Sequence, residues 1–92
     1  MLKFAVHPGR ILREEFMEPM GLSPIALARH IDVPRTRIER LVREETAMTV
    51  DTATRLAAAF KTSAAFWMNL QIAYDLKTAP PVKGIRPIPI PA

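Results

Sequence analysis

Five arginines fall within fifteen residues of this chain: Arg29, Arg35, Arg37, Arg40 and Arg43, against only Asp32 and Glu39. A guanidinium is a planar fork that matches the O6 and N7 of guanine bidentately, and its charge also binds phosphate. A run of this kind on its own is equally the solvated face of a helix, with pairs such as Glu39–Arg43 four residues apart. What decides between the two is the framework that presents the arginines. Chemistry of other kinds finds little material. The only serines, Ser23 and Ser63, each stand where a helix begins and suit N-caps. His7 precedes Pro8 at another helix start, His30 suits the last turn of a helix, and Glu14, Glu15 and Glu18 form an acidic outer face rather than an acid–base or metal pair. With no cysteine and two histidines, thiol nucleophiles, disulfides, iron–sulfur clusters and structural zinc sites are excluded. No catalytic residue, metal or cofactor is expected, and the chain reads as a non-enzyme.

The elements that must hold those arginines are helical. Proline punctuates the sequence: Pro8, Pro24 and Pro34 each precede a stretch of helical periodicity, and Pro fits a first helical position because its missing N–H has no partner there anyway. Pro19 and Gly21 stop a helix instead. Five short helices follow. The first runs from about Pro8 to Glu18, burying Ile11, Leu12 and Phe16. The second starts at the N-cap Ser23 and buries Leu27, Ala28 and Ile31, and the third spans Pro34 to about Glu44, burying Ile38, Leu41 and Val42. The fourth, capped by Thr49 with Asp51 in its first turn, buries Ala53, Leu56, Ala57 and Phe60. The fifth, capped by Ser63, sets Phe66, Trp67, Leu70, Ala73 and Tyr74 at helical spacing. Alternating β-branched patterns are nearly absent before residue 80, so the fold is all-α.

The second and third helices carry the argument. Ala28 is small enough for close helix approach, Ile31-Asp32-Val33 makes a short turn with Val33 plugging the gap, and Ile38 docks the next helix. That is the geometry of a helix-turn-helix, whose second helix enters a DNA major groove. With residues 38, 41 and 42 facing inward, the outer face displays Arg35, Thr36, Arg37, Glu39, Arg40 and Arg43. Ser23, at the start of the second helix, joins the expected DNA contacts.

Length and charge set the bounds. Ninety-two residues make one domain, and 49% hydrophobic with 24% charged residues is ordinary for a soluble globular chain. The net charge of +4 is a poor guide to partners. Residues 77–92 hold Lys77, Lys83 and Arg86 and no acid, while the rest has ten bases and nine acids. A local basic stripe on a nearly neutral domain remains. No apolar run approaches a membrane span or a signal-peptide core, and the lack of cysteine fits a reducing cytoplasm.

Two blocks resemble a known family. His7-Pro8-Gly9-Arg10-Ile11-Leu12-Arg13-Glu14-Glu15-Phe16 with Pro19-Met20-Gly21-Leu22-Ser23 is similar to the opening of HigA-type antitoxins, and so is Phe66-Trp67-Met68-Asn69-Leu70-Gln71 followed by Ala73-Tyr74-Asp75-Leu76. These antitoxins belong to the XRE-like helix-turn-helix family, and the resemblance covers about residues 5–76. It implies a lambda-repressor-like five-helix bundle that binds operator DNA as an autorepressor and neutralises a RelE-like mRNA-cleaving toxin. It also puts Arg35, Thr36 and Arg40 at base-reading positions, with Arg37 and Arg43 near phosphates. The chain departs from the family pattern in four places. Pro24 replaces a frequent Gln; Asp32 stands for the usual turn Gly; Arg43-Glu44 stands for Asn-Gly; and Lys61 stands for a Gly between the last helices. Pro24 and the acidic Glu44-Glu45 leave a second reading: a protein–protein module that inhibits its toxin with weak or no DNA binding.

Two further expectations concern assembly. Phe66, Trp67, Leu70, Tyr74 and Leu76 present more apolar surface on one helix than a small core covers, which implies a homodimer through the fifth helix. The helix-turn-helix domain is assigned residues 1–76. Residues 77–92, rich in proline, form an extended tail whose isoleucines suit partner contact.

Overall fold

The computed structural model describes residues 5–91, and residues 1–4 and 92, at the outer ends of the expected domain and tail, lie outside them. Among the described residues there are five helices and no strand. Helix α1 comprises an α-helical turn, Pro8–Ile11, that runs on without a break into a π-helical stretch, Leu12–Met17, after which the Glu18 N–H reaches back to the Arg13 carbonyl at 2.9 Å. It is followed by α2 (Pro24–His30), α3 (Arg35–Val42), α4 (Val50–Phe60) and α5 (Ala64–Thr78).

Caps fix the starts. His7 Nδ1 accepts from the Gly9 N–H at 2.9 Å, Ser23 Oγ from Ala26 at 3.1 Å, Thr49 Oγ1 from Thr52 at 3.3 Å and Ser63 Oγ from Phe66 at 3.0 Å. Each satisfies an N–H that the helix itself leaves unpaired. Pro34 caps α3 rather than opening it, so that helix starts at Arg35.

The ends are made by one device used four times. Gly21, Asp32, Glu44 and Lys61 all take the left-handed conformation (φ 62, 60, 64 and 55°). In each case the next N–H bonds back across the last turn: Leu22 to Met17, Val33 to Ala28, Glu45 to Arg40 and Thr62 to Ala57, at 2.9 to 3.0 Å. These are Schellman closures, which glycine suits because it has no Cβ. Only the first uses glycine. The left-handed turn at Glu44 ends α3 at Val42, two residues short of the sequence expectation.

Packing joins the two blocks that enclose the helix-turn-helix. Leu12, Leu27, Ile38, Leu41, Leu56 and Trp67 are fully buried in one core. Phe16, Phe60 and Phe66 surround the indole with ring centroids 4.9, 6.5 and 5.0 Å away, and its Nε1 donates to Thr62 Oγ1 at 2.8 Å. Val33 packs against this core between α2 and α3, as the spacing implied. Gly9 fixes the approach of α1 to α3: a Cβ there would stand 1.8 Å from the Leu41 carbonyl oxygen.

α5 continues past residue 76 to Thr78, and Ala79 turns extended because the following Pro80 disfavours helix. Residues 80–91 are non-helical and exposed. They raise the radius of gyration to 16.6 Å, above the roughly 12 Å of a compact chain of this length.

Candidate nucleic-acid interface

Helix α3 stands on the core through Ile38, Leu41 and Val42, and its opposite side is open: Arg35, Thr36, Arg37 and Arg40 are exposed. Arg43, placed on the helix by sequence reading, is its exposed C-cap instead. Thr36, Arg37 and Arg40 border a groove of about 380 Å³ whose far wall is Thr46, Thr49 and Asp51 at the start of α4. Ser23 is exposed at the start of α2; its oxygen is used by the Ala26 N–H, which leaves its own O–H to donate.

The arginines differ in what already holds them. Arg37 Nη1 donates to Asp51 Oδ2, and Arg55 Nε donates to the same oxygen at 3.1 Å. The bond from Arg37 does most to hold the Asp51 carboxyl below its ordinary range; slight desolvation opposes it and Arg55 adds to it. Arg35, Arg40 and Arg43 form no ion pair with a carboxylate among the described residues. The suggested Glu39–Arg43 pair is likewise not made.

Two arginines that sequence reading passed over brace the motif. Arg13 Nη1, from the π-helical stretch, donates to the Val42 carbonyl at 2.6 Å, and Arg55 Nη1 donates to the Ile31 carbonyl at 2.8 Å. Each places a cation on the last carbonyls of a helix, the first on α3 and the second on α2, where the helix dipole favours positive charge. A third brace is Gln71: buried in α5, it accepts from the Met48 N–H at 2.7 Å and donates to Asp75 at 2.8 Å, tying the α3–α4 loop to the last helix. Spacing within one helix carries no sign of such long-range bonds. The available hint was a Gln between Leu70 and Ile72 in a largely apolar helix.

His7 sits beneath the same region. It is buried, its ring meets Tyr74 edge-on at 4.9 Å, and burial lowers its pKa against the opposing pull of Glu44, a backbone bond to Thr46, and Asp75. The capping role expected for it is the one observed.

The expected dimer contacts need one correction. Trp67 is fully buried among its own protomer's aromatic rings, so it offers no surface to a partner. Its helical spacing fits core and interface equally, and only the neighbouring rings distinguish them. Leu70 is half-buried against the core and Tyr74 half-buried on His7, whereas Phe66 (38%) and Leu76 (76%) remain exposed. The open face of α5 also includes Ile72, 52% exposed, together with Ala65, Asn69 and Ala73.

Comparison with known proteins agrees with this geometry. The helix-turn-helix family model matches residues 14–67. Virulence-associated protein I of Dichelobacter nodosus is 53% identical over 75 residues, 82% of this chain and 69% of that protein. Among solved structures, the Pseudomonas aeruginosa antitoxin HigA with the higBA promoter superposes with a TM-score of 0.80 at 48% identity, covering 82% of each chain. The antitoxin GraA gives a TM-score of 0.83 at 44% identity over 85% of this chain and 84% of its own. The two solved structures are matched over more than four fifths of their length, and the two sequence blocks, the all-α bundle and the exposed α3 occur together. The chain belongs to the XRE-like helix-turn-helix family, among the HigA-type antitoxins.

Proposed function

We propose that this protein is the antitoxin of a type II toxin–antitoxin module, binding operator DNA as a homodimer to repress its own promoter and neutralising a RelE-like mRNA-cleaving toxin. The family is one of non-enzymatic DNA-binding regulators, and the HigA structure with promoter DNA is the likeness that gives the reading its class. The observation that carries it is the state of α3: a helix packed on the core with its last carbonyl held by Arg13, and with Arg35 and Arg40 exposed and bound to no carboxylate among the described residues. Arg35, Thr36 and Arg40 read base edges in the major groove, Arg37 and Arg43 meet phosphates, and Ser23 donates to the backbone from the start of α2. The dimer forms through α5, with Phe66, Leu70, Tyr74 and Leu76 as expected from the sequence and Ile72 beside them, so two half-sites lie about one helical turn apart. Among the described residues no helix is long and apolar enough to cross a membrane, and a place in the cytoplasm suits the function.

Glu44 and Glu45, exposed at the end of α3, favour the second reading, a toxin-binding module with little affinity for DNA. A mobility-shift titration on the protein's own promoter across a salt series separates the two. Sequence-specific retardation with a steep salt dependence supports the repressor. Co-purification with the product of the adjacent reading frame, without any specific DNA complex at low salt, supports the module.

A further inference from the structure

The tail has a property that its exposure alone does not reveal. Val82, Ile85, Ile88 and Ile90 are 80, 77, 84 and 88% exposed, an apolar segment with no cover in the protomer. From Arg86 to Pro91 every second residue is proline: Pro87, Pro89 and Pro91. Each fixes its own φ and pushes the residue before it into the extended region, so Arg86, Ile88 and Ile90 are held in strand-like backbone. In a strand, the N–H and C=O of one residue point to one edge and those of the next residue to the other. The three prolines therefore share an edge that has no N–H at all, while the N–H groups of Arg86, Ile88 and Ile90 share the opposite edge. Prolines occupy sheets only where the missing donors face away from the ladder.

We propose that residues 86–90 of two copies of this chain pair antiparallel, centred on Ile88, and lock the homodimer. The inference rests on the dimeric reading above. A strand with one competent edge pairs once and then stops, because the outer edges are proline. The register follows from charge and from donors. With Ile88 opposite its own copy, Arg86 lies opposite Ile90, all three inward N–H groups of each strand meet carbonyls, and the two Arg86 residues stand roughly 14 Å apart along the ladder at 3.4 Å per residue. Centring on Arg86 would oppose like charges and leave Ile90 unpaired. The partner is a second copy rather than an unrelated sheet edge, since only self-pairing places a donor-free edge on both outer sides. Gly84, at φ 79° with open space around it, supplies the bend between the end of α5 and this strand.

The test uses the full chain. Amide exchange followed by NMR at dimer-forming concentration should show Arg86, Ile88 and Ile90 protected, and a mixed labelled and unlabelled sample should show contacts between the Ile88 residues of the two copies. Ile88→Pro, which removes one inward donor per strand, should raise the dimer dissociation constant roughly thirtyfold, the worth of two net hydrogen bonds, whereas Ile88→Val should change it little. Restoring donors to the outer edge with Pro87→Ala, Pro89→Ala and Pro91→Ala together should produce concentration-dependent species larger than a dimer. Free exchange of these amides in an intact dimer, or equal effects of the proline and valine variants, overturns the strand pair while the α5 dimer stands. Protection that persists in a dilute monomer means the tail folds on its own domain, and protection only on adding toxin means a different partner; either result overturns the proposal. A chain monomeric at all concentrations removes the dimer and the strand pair together.

Discussion

Glycine at position 61 should stabilise this protein by relieving a left-handed helix end. Lys61 closes α4 at φ 55°, ψ 42°, and is exposed. A residue with a Cβ in that conformation costs about 1–2 kcal/mol. Glycine removes this cost but adds about 0.4–1 kcal/mol of unfolded-state freedom, so Lys61→Gly should gain about 0.5–1 kcal/mol. For a domain of this size that corresponds to a rise in Tm of about 3–6 °C. Glu44→Gly, at φ 64°, should gain a similar amount, and Asp32→Gly less, because aspartate enters the left-handed region more readily than glutamate or lysine. The Asp32 change also leaves intact the carbonyls that receive Arg55, since these belong to the main chain. The control is Lys61→Ala, which removes the charge and keeps the Cβ. Thermal and urea unfolding of the series, at fixed protein concentration so that dimerisation does not shift the midpoint, measures the ordering. If Lys61→Gly is no more stable than Lys61→Ala, the left-handed cost is not what limits these helix ends.

Arg40→Ala should cost about 1–3 kcal/mol on the operator and relax preference at one base position per half-site, while Arg37→Ala should weaken all sequences alike and flatten the salt dependence in shift assays. Asp51→Asn should act in the opposite sense, with tighter DNA binding and a steeper salt slope, because it frees Arg37 and removes an anion from the groove wall; equal weakening at every salt concentration would show that Asp51 positions Arg37 instead. Burial lowers the His7 pKa, so protonation favours the unfolded chain: stability should be complete above about pH 6.5 and fall as the pH drops through the lower folded value, and His7→Asn should flatten urea midpoints across that window. Gly9→Ala should cost about 3 kcal/mol or more in a urea melt, because the new Cβ meets main chain at Leu41 rather than a movable side chain.

What the sequence disclosed and what it hid divide along one physical line. Periodicity and caps are local, so the five helices, their starts at His7, Ser23, Thr49 and Ser63, and the inward faces of α2 and α3 were all legible. The places of Asp32, Glu44 and Lys61 were legible as departures from glycine, and all three proved to be left-handed helix closures. Bonds between distant elements were not. Nothing in the spacing of α1 says that Arg13 reaches Val42, twenty-nine residues on. Nor does the pattern of α5, apolar all round, separate Trp67 in the core from Ile72 in the open. The shape of the His7-Pro8-Gly9 block has a cause too: a cap, a buried first-turn proline and a glycine without room for a Cβ together set α1 against α3.

The distribution of arginines explains how a nearly neutral domain can display a basic face. Counting charges treats every guanidinium as equal, yet the fold uses them unequally. Arg13 and Arg55 are spent on carbonyls at the ends of α3 and α2, and Arg10 and Arg13 pair with Glu14 on α1. The bonds from Arg10 and then Arg13 hold Glu14 below its ordinary pKa against slight desolvation. Glu14 and Glu18 are thus paired with arginines of their own helix, away from the α3 face. On that face, among the described residues, Asp51 is the one carboxylate bound to an arginine, and it binds Arg37, at the edge of the groove, through a pair exposed enough for solvent and salt to weaken it. If the proposed function holds, a DNA phosphate arriving there would exchange one anion for another at Arg37 and meet Arg35, Arg40 and Arg43, which pair with no carboxylate among the described residues. On the proposed reading, the side chains assigned to base edges are therefore available before the complex forms, and Arg37, assigned to the backbone, is held near the groove until a phosphate takes the place of Asp51.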